Sequence, residues 1–390
     1  MKIGILGGGP AGLYFALLMK TQNPAHDIRV VEQNPAGATY GWGVVFSDRA
    51  LAYLEAADHP SYRHIESSLQ TWDDQAIVQK GQKVRIDGLG FSGIARIDLL
   101  RILQEQCRRR GVELRFDTRV TDLGPFQDCD LIVGADGANS VVRETLRQRF
   151  HPAIQILSNK YVWYGTHQLF DCLTLTFREN RHGAFVAHHY RHSETASTFI
   201  VECDAETWAN AGLAVMSEED SRRYCEEAFR DDLGGHPLLT NKSIWLNFKV
   251  VTNERWSCDN VALIGDALRT IHFSIGSGTR MGLEDAIALA QALAANTDIG
   301  TALGEFERAR RPVVEKLLKV AAHSFIWYER MREKLHLDPI PFAYDYMMRS
   351  GAINHGRLQE RSPKFVAAYE AHTAARLAVQ GRLADEGSVR

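Results

Sequence analysis

Gly7-Gly8-Gly9-Pro10-Ala11-Gly12, a G-x-G-x-x-G run, sits between an apolar β-type stretch, Lys2 to Leu6, and a second apolar stretch, Leu13 to Met19, of helical composition. The next β-type run, IRVVE, ends at Glu32, 20 residues beyond Gly12. Strand, helix and strand within about thirty residues make a βαβ unit with a parallel pair, which commits this part of the chain to an α/β fold. Glycines at Gly7, Gly9 and Gly12 let the backbone approach a pyrophosphate at the N-terminus of the helix opened by Pro10 and Ala11, where free N–H groups and the helix dipole favour anions. Glu32, with Gln33 beside it, stands where a carboxylate accepts hydrogen bonds from ribose hydroxyls. A glycine-rich turn without a ligand would use the same residues; the complete strand, turn, helix, strand and acid context favours a dinucleotide.

Two later segments return to this patterning. Asp130 to Arg143, DLIVGADGANSVVR, delivers Asp136 and Gly137 at the end of an apolar strand-like run, and Ser140 to Arg143 opens a helix-like one. It is expected to close the crevice from the other side, with Ser140 and Arg143 holding the loop, although a simple capped turn reads the same way. Val261 to Ala286, VALIGDALRTIHFSIGSGTRMGLEDA, places Asp266 at another strand end and Gly276, Gly278 and Thr279 ahead of a helix beginning near Arg280. Asp266 suits a sugar-alcohol hydroxyl, and the amides after Gly276 suit a phosphate or an electron-rich ring edge.

Between these segments the texture changes. From Lys160 to Val250 the runs KYVWYGTHQLF, LTLTF, GAFVAHHY and STFIVEC, broken by polar turns, predict antiparallel strands, with a helix-like interruption at Met216 to Leu233. The spacing predicts a discontinuous nucleotide-binding domain over 1–159 and 251–330, an inserted substrate domain over 160–250, and a helical segment over 331–390. The length, with 45% hydrophobic residues, supports two cores rather than one. A net charge of −3, from 45 basic and 48 acidic residues scattered along the chain, argues against a nucleic-acid or membrane partner. The six cysteines show no C-x-x-C and no metal-like spacing, so we expect reduced thiols, no metal and a cytoplasmic protein.

In this order and over most of the chain, GGGPAG, DLIVGADGANSVVR and VALIGDALR…GSG resemble the three flavin fingerprints of the single-component, FAD-dependent aromatic hydroxylases. The resemblance implies an α/β chain of glutathione-reductase-like fold: an FAD-binding Rossmann-type domain, an inserted antiparallel β-sheet substrate domain and a helical C-terminal tail. It implies FAD and NAD(P)H as cofactors, a small aromatic molecule and O2 as substrates, oxygen transfer through a C4a-hydroperoxide, and a monomer or homodimer. By resemblance Glu32 binds the adenosine ribose, Arg96 in GIARIDLLRIL reaches the flavin, Gly43 and Val44 in GWGVVFSD line the cofactor, and Asp266 binds the ribityl chain.

The departures narrow the choice. Where the family commonly runs on with a histidine, a proline and an asparagine, this chain has Arg269, Phe273 and Arg280. GWGVVFSD, NKYVWYGTHQLFD and HFSIGSGT are similar to a smaller branch that hydroxylates salicylyl-CoA, 2-aminobenzoyl-CoA or indole-derived pigment precursors. His272-Phe273-Ser274 then replaces the proline-containing loop facing the reactive flavin edge. Imidazole there either takes a proton from a substrate hydroxyl or amino group, or caps the backbone that follows. Trp163, His167 and His189 fall on strands expected to wall the pocket, although alternation sends neighbours such as His188 and His189 to opposite faces. Arg349 and Arg357, in the basic stretch YMMRSGAINHGRLQERSPK, are expected to meet the phosphates of a CoA tail at the pocket mouth. The leading expectation is a hydroxylase of an aryl-CoA thioester, salicylyl-CoA to 2,5-dihydroxybenzoyl-CoA. The alternatives are an indole- or tryptophan-derived substrate or 2-aminobenzoyl-CoA and, outside enzymes, a flavin-binding module.

Overall fold

A computed structural model of the chain describes residues 1–387. Its first sheet has six strands in the spatial order Ser257–Cys258, Val261–Leu263, Leu131–Gly134, Lys2–Leu6, Asp27–Val31 and Glu113–Arg115. All pairs are parallel except the edge pair Ser257–Cys258 with Val261–Leu263. Lys2–Leu6 is central, so its side chains are covered on both faces, and the strand is continuously apolar after its first residue. The helix Pro10–Gln22 buries every residue from Pro10 to Met19 because Gly278–Ala295 and Arg96–Arg109 flank it. The three nucleotide-binding segments of the sequence thus end side by side at the carboxyl edge of adjacent parallel strands, where open α/β sheets bind ligands.

The second sheet has eight strands and is built round Pro152–Thr166, Ser197–Cys203, Gly183–Arg191 and Leu173–Asn180. It draws in segments outside 160–250. Gln75–Gln79 pairs in parallel with Leu173–Asn180, Gln82–Ile86 extends that edge, and the first long strand starts at Pro152. Strand alternation divides its residues cleanly. Val162, Tyr164, Phe185, Ala187, Phe199 and Val201 pack beneath the helices Ala205–Asn210, Glu218–Ala228 and Arg230–Leu233. On the opposite face Ile77, Leu175, Phe177 and Val186 are covered by Trp327, Tyr328, Phe342 and Tyr346.

The cover on that face arrives along one helix. Ile299–Glu329 contributes Ala302, Phe306 and Val314 to the nucleotide-domain core, then Trp327 and Tyr328 to the core under the tail. Pro339–Met348, His355–Arg361 and Pro363–Gly387 follow it. All six cysteines are buried and unpaired. Among the described residues no helix is long and apolar enough to cross a membrane, and no cluster of potential metal ligands occurs.

Candidate active site

Three of the N-terminal glycines serve different ends. Gly7 has φ +110°, and a Cβ there would lie 2.3 Å from the Ala135 carbonyl oxygen, so this position requires glycine for both conformation and packing. A Cβ on Gly12 would meet the Gly7 oxygen at 2.2 Å. A Cβ on Gly9 would meet nothing within 4 Å, so this residue faces open space at the start of the helix. Pro10 occupies the first turn and no side chain caps it, which leaves the first-turn amides to a ligand. Glu32 is held at the rim: its Oε2 accepts from the Gly8 N–H at 2.8 Å, and its Oε1 from the Asn34 N–H at 2.9 Å. Gln33, beside it, is exposed.

The second segment supplies an unpartnered atom. Asp136 Oδ2 accepts from the Val141 and Val142 amides at 2.6 and 3.3 Å, whereas Oδ1 is buried without a partner among the described residues. Burial raises its carboxyl pKa. Gly137, at φ +80°, has open space where a Cβ would stand. Arg143, 1% exposed, donates to the Ala138 and Ala267 carbonyls at 2.7 and 3.1 Å and so staples the second segment to the third. Ser140 caps the Arg143 amide at 3.0 Å.

In the third segment, Asp266 is exposed, yet enough protein surrounds it that desolvation raises its carboxyl, against the opposing pull of Arg96 and Arg269. A group both solvent-accessible and crowded lies on the floor of a cleft. Arg96 faces Asp266 and donates from Nε to Thr39 Oγ1 at 3.1 Å. Gly43 is clamped between Thr198 Oγ1, which accepts its amide at 2.9 Å, and the Tyr190 hydroxyl, which donates to its carbonyl at 2.8 Å; Val44 is buried beside it. An adjoining cleft of about 480 Å³ is lined by Thr39, Gly41, Trp42, Ala95, Ile97 and Lys242 among others. Ala11 packs where Gly265 and Gly282 approach: a Cβ on either would lie 3.2 Å from its methyl. Gly276, at φ +58°, and Gly278 bracket the entry to the following helix, with Thr279 in its first turn.

The unusual Arg269 and Arg280 are structural. Arg269 pairs with fully buried Asp285 through two bonds of 2.5 and 2.9 Å, and Asp285 Oδ2 also accepts the Gly265 amide at 3.1 Å. Arg310 reaches Asp285 and Glu284 at 3.2 and 3.0 Å, and Arg280 closes on Glu284 at 2.6 Å. This network holds the Gly265 turn from behind, leaving Asp266 to face the cleft.

His272, Phe273 and Ser274 form a tight turn against the large sheet. Phe273 lies 4.3 Å from His272, 4.9 Å from Tyr161 and 5.3 Å from His188, ring centre to ring centre, and Phe248 lies 4.7 Å from His272. His272 Nδ1 accepts the Ser274 amide at 3.2 Å. Burial pulls its pKa down to about 4, so the ring is neutral, its one acceptor nitrogen is spent, and Nε2–H is left to donate. The expected proton-accepting role for His272 is therefore not what this geometry offers. Ser274 bonds Ser324 Oγ at 2.9 Å, side chain to side chain.

The pocket-wall expectations divide. Tyr161 and Glu202 are paired across the sheet, as are Trp163 and Ile200, while His188 is opposite Ile200 from the other side. Trp163, Tyr161, His188 and Glu202 therefore share the face turned to His272 and the cleft, and Trp163 packs under Gly41. His189 points to the other face, bonded to Thr176 Oγ1 at 2.9 Å and stacked on Phe199, with burial taking its pKa to about 3. His167 is exposed beyond the strand and bonds the Thr195 carbonyl at 2.9 Å. Arg349 does not stand at a pocket mouth. It lies 3.7 Å over the Tyr346 ring and donates to the Ser274 carbonyl, Ser324 Oγ and the Tyr346 carbonyl at 3.0, 3.1 and 3.0 Å. Arg357 is exposed and donates to the Ala352 carbonyl at 3.2 Å.

Sequence reasoning passed over the carboxylate at the centre of this face. Glu202, 1% exposed, accepts from Asn159 Nδ2 at 2.8 Å and lies 3.1 Å from His188 Nε2. The one signal was a lone acid inside the apolar strand STFIVEC. Tyr161, its hydroxyl pushed up to about 12 by burial and by the carboxylates of Asp266 and Glu202, stands between the cleft and this cluster.

The FAD binding domain family matches residues 127–321. The chain is 40% identical to a salicyloyl-CoA 5-hydroxylase of Streptomyces sp, over 94% of this chain and 72% of that protein. It belongs to the FAD-dependent aromatic hydroxylases. This hydroxylase is also 36% identical to protodeoxyviolaceinate monooxygenase of Chromobacterium violaceum, over 90% of its own length and 94% of that one. It is 36% identical to 3-hydroxy-4-methyl-anthranilyl-[aryl-carrier protein] 5-monooxygenase of Streptosporangium sibiricum, over 85% and 90%. Its fold matches the solved 2-methyl-3-hydroxypyridine-5-carboxylic acid oxygenase with a TM-score of 0.70 at 17% identity, covering 92% and 95% of the two chains. The chain is thus an FAD-dependent aromatic monooxygenase, of a family whose usual reductant is NAD(P)H. The open space at Gly9 and Gly137, the uncapped helix and the accessible Asp266 on the cleft floor fit the flavin nucleotide.

Proposed function

We propose that this hydroxylase acts on an aryl thioester, converting salicylyl-CoA to 2,5-dihydroxybenzoyl-CoA (gentisyl-CoA) with NAD(P)H and O2 as co-substrates. The observation that carries the reading is the 40% identity to a salicyloyl-CoA 5-hydroxylase over 94% of the chain. The relative that acts on an aryl-carrier-protein substrate points the same way, since a carrier protein and CoA both present an acyl group through a thioester.

Bound FAD supplies electron transfer from NAD(P)H to dioxygen and the activated oxygen. The chain supplies the rest. Glu32 holds the ribose, the uncapped amides after Gly9 the pyrophosphate, Asp266 the ribityl hydroxyls, and the amides from Gly276 to Thr279 the ring edge. The sheet face with Tyr161, Trp163 and His188 orients the aromatic substrate against Phe273 and excludes water. The substrate's hydroxyl donates electron density to the position para to it, which directs attack there. Arg349 is committed to the His272–Ile275 turn, which leaves Arg357 as the candidate for the phosphates of the CoA tail.

The test is NAD(P)H consumption by the FAD-loaded protein against salicylyl-CoA, 2-aminobenzoyl-CoA, indole-derived acids and free salicylate, with products identified by mass spectrometry. Coupled turnover with the CoA thioester and little with free salicylate supports the reading. Equal turnover of free salicylate sinks the thioester. Turnover confined to the indole compounds selects the second reading, which the 36% identity to protodeoxyviolaceinate monooxygenase favours.

A further inference from the structure

His188 is held at one nitrogen and open at the other. Nε2 lies 3.1 Å from Glu202 Oε2, and Nδ1 has no hydrogen-bond partner among the described residues, although the residue is only 6% exposed. Glu202 is fully buried, which by itself raises a carboxyl, yet its pKa is lowered because His188 and Asn159 hydrogen-bond the charged form. A carboxylate acts as acceptor, so the contact with Glu202 places an N–H on Nε2 and leaves Nδ1 as the nitrogen open to a ligand. Across Phe273, which packs on both rings, His272 presents the reverse: Nδ1 is occupied by the Ser274 amide and Nε2–H is a donor. Two buried rings packed on one phenyl therefore each keep one nitrogen without a protein partner, Nδ1 on His188 and Nε2 on His272. A ring with a hydroxyl next to an acyl carbonyl offers the matching donor and acceptor.

Resting on the substrate reading above, we propose that His188 Nδ1 accepts the proton of the substrate's ortho hydroxyl, with Glu202 and Asn159 as positioning residues, while His272 Nε2–H donates to the neighbouring acyl carbonyl. The phenol O–H bond breaks with its electron pair left on oxygen, an N–H bond forms at Nδ1, and the imidazolium's charge is balanced by Glu202. The phenolate pushes density to the para carbon, which would take the outer oxygen of the activated dioxygen that bound FAD supplies, the new C–O bond forming as the O–O bond breaks. That carbon's own hydrogen then leaves as a proton to the oxygen left behind, which departs as water, while the proton on Nδ1 returns to the phenolate oxygen and the ring becomes aromatic again. An indole without an acyl carbonyl would leave His272 without its acceptor, so the pair also selects against that class.

The experiment uses the FAD-loaded enzyme and salicylyl-CoA. In the oxidised enzyme without NAD(P)H, binding by the parent protein should bring up the phenolate absorbance of the ligand. His188→Gln, which keeps a donor towards Glu202 and lacks the base, should hold flavin and ligand without that band. Its coupled hydroxylation should fall about 10²–10⁴-fold, the span typical of a lost positioned base. Glu202→Gln is the second variant, for the case that His188→Gln does not fold. It should lose the phenolate band and lower kcat with KM nearly unchanged, a split that a merely structural role would not produce. A phenolate band and parental kcat in either folded variant overturns the role of His188. A parent protein that shows no salicylyl-CoA-dependent NAD(P)H oxidation overturns the substrate reading itself, and the inference with it.

Discussion

At the scale of single residues, burial keeps His189, His192 and His272 neutral, with pKa values lowered to about 3, 4 and 4. In the unfolded chain an imidazole takes its proton near about pH 6.5. Below that pH and down to the folded values, the unfolded chain binds more protons than the native one. Their contribution is therefore fully present above about pH 6.5 and is lost as pH falls towards about 4. The raised carboxyls of Asp136 and Asp266 pull in the opposite direction, so a single-site comparison is the cleaner measurement. We expect Tm to fall between about pH 7 and pH 4.5, and His189→Gln, which retains a bond to Thr176, to flatten that fall by about one proton's worth. An unchanged slope in the variant would mean that His189 does not titrate as a buried neutral group.

Two elements invite tests at their own scale. The glycine turn before Pro10–Gln22 contains one position that faces a ligand and one that faces the backbone. Gly9→Ala should fold normally, since Gly9 has φ −76° and an open flank, yet lose flavin; Gly12→Ala should fail to fold, its methyl driven into the Gly7 carbonyl. Circular dichroism beside flavin absorbance separates the two, and a flavin-replete Gly9→Ala would remove the pyrophosphate from this turn. The turn Phe273–Ile275 is held from outside by Arg349. Arg349→Ala should lower kcat and leak reducing equivalents to hydrogen peroxide, by up to about 10²-fold for an ångström-scale displacement. Arg349→Lys should not rescue it, because one ammonium cannot replace a planar fork serving three acceptors and stacked on Tyr346. A rise in KM for the thioester at constant kcat would instead return Arg349 to tail binding.

For the whole molecule, the helix Ile299–Glu329 and the tail beyond it bind the two sheets into one unit. A chain ending at Arg330 would strip Phe342, Tyr346 and Met347 from Phe177 and Leu175 and expose an apolar sheet face. We expect that truncation to aggregate without flavin; a monodisperse yellow protein in size-exclusion chromatography would contradict it. The nucleotide half was legible in the sequence because its demands are local: the positive φ at Gly7, the free amides after Pro10 and the acid closing the next strand follow from neighbours a few positions away. Even there Arg269 was opaque, its partner Asp285 lying 16 positions on and visible only once two helices pack. The sheet face proposed to hold the substrate was not legible. A run such as HHY offers two adjacent imidazoles, and only strand register turns His188 towards Glu202 and Phe273 while it seals His189 against Phe199. Arg349 read as a cation for the phosphates of a CoA tail at the pocket mouth until the fold brought it to the Ser274 carbonyl, 75 positions away. By itself the sequence determined the cofactor, the fold class and the kind of chemistry. Only the tertiary structure decided which side chains meet His188 and His272, because that depends on the partner across the sheet and in the facing loop, and such partners are set by pairing and burial rather than by spacing along the chain.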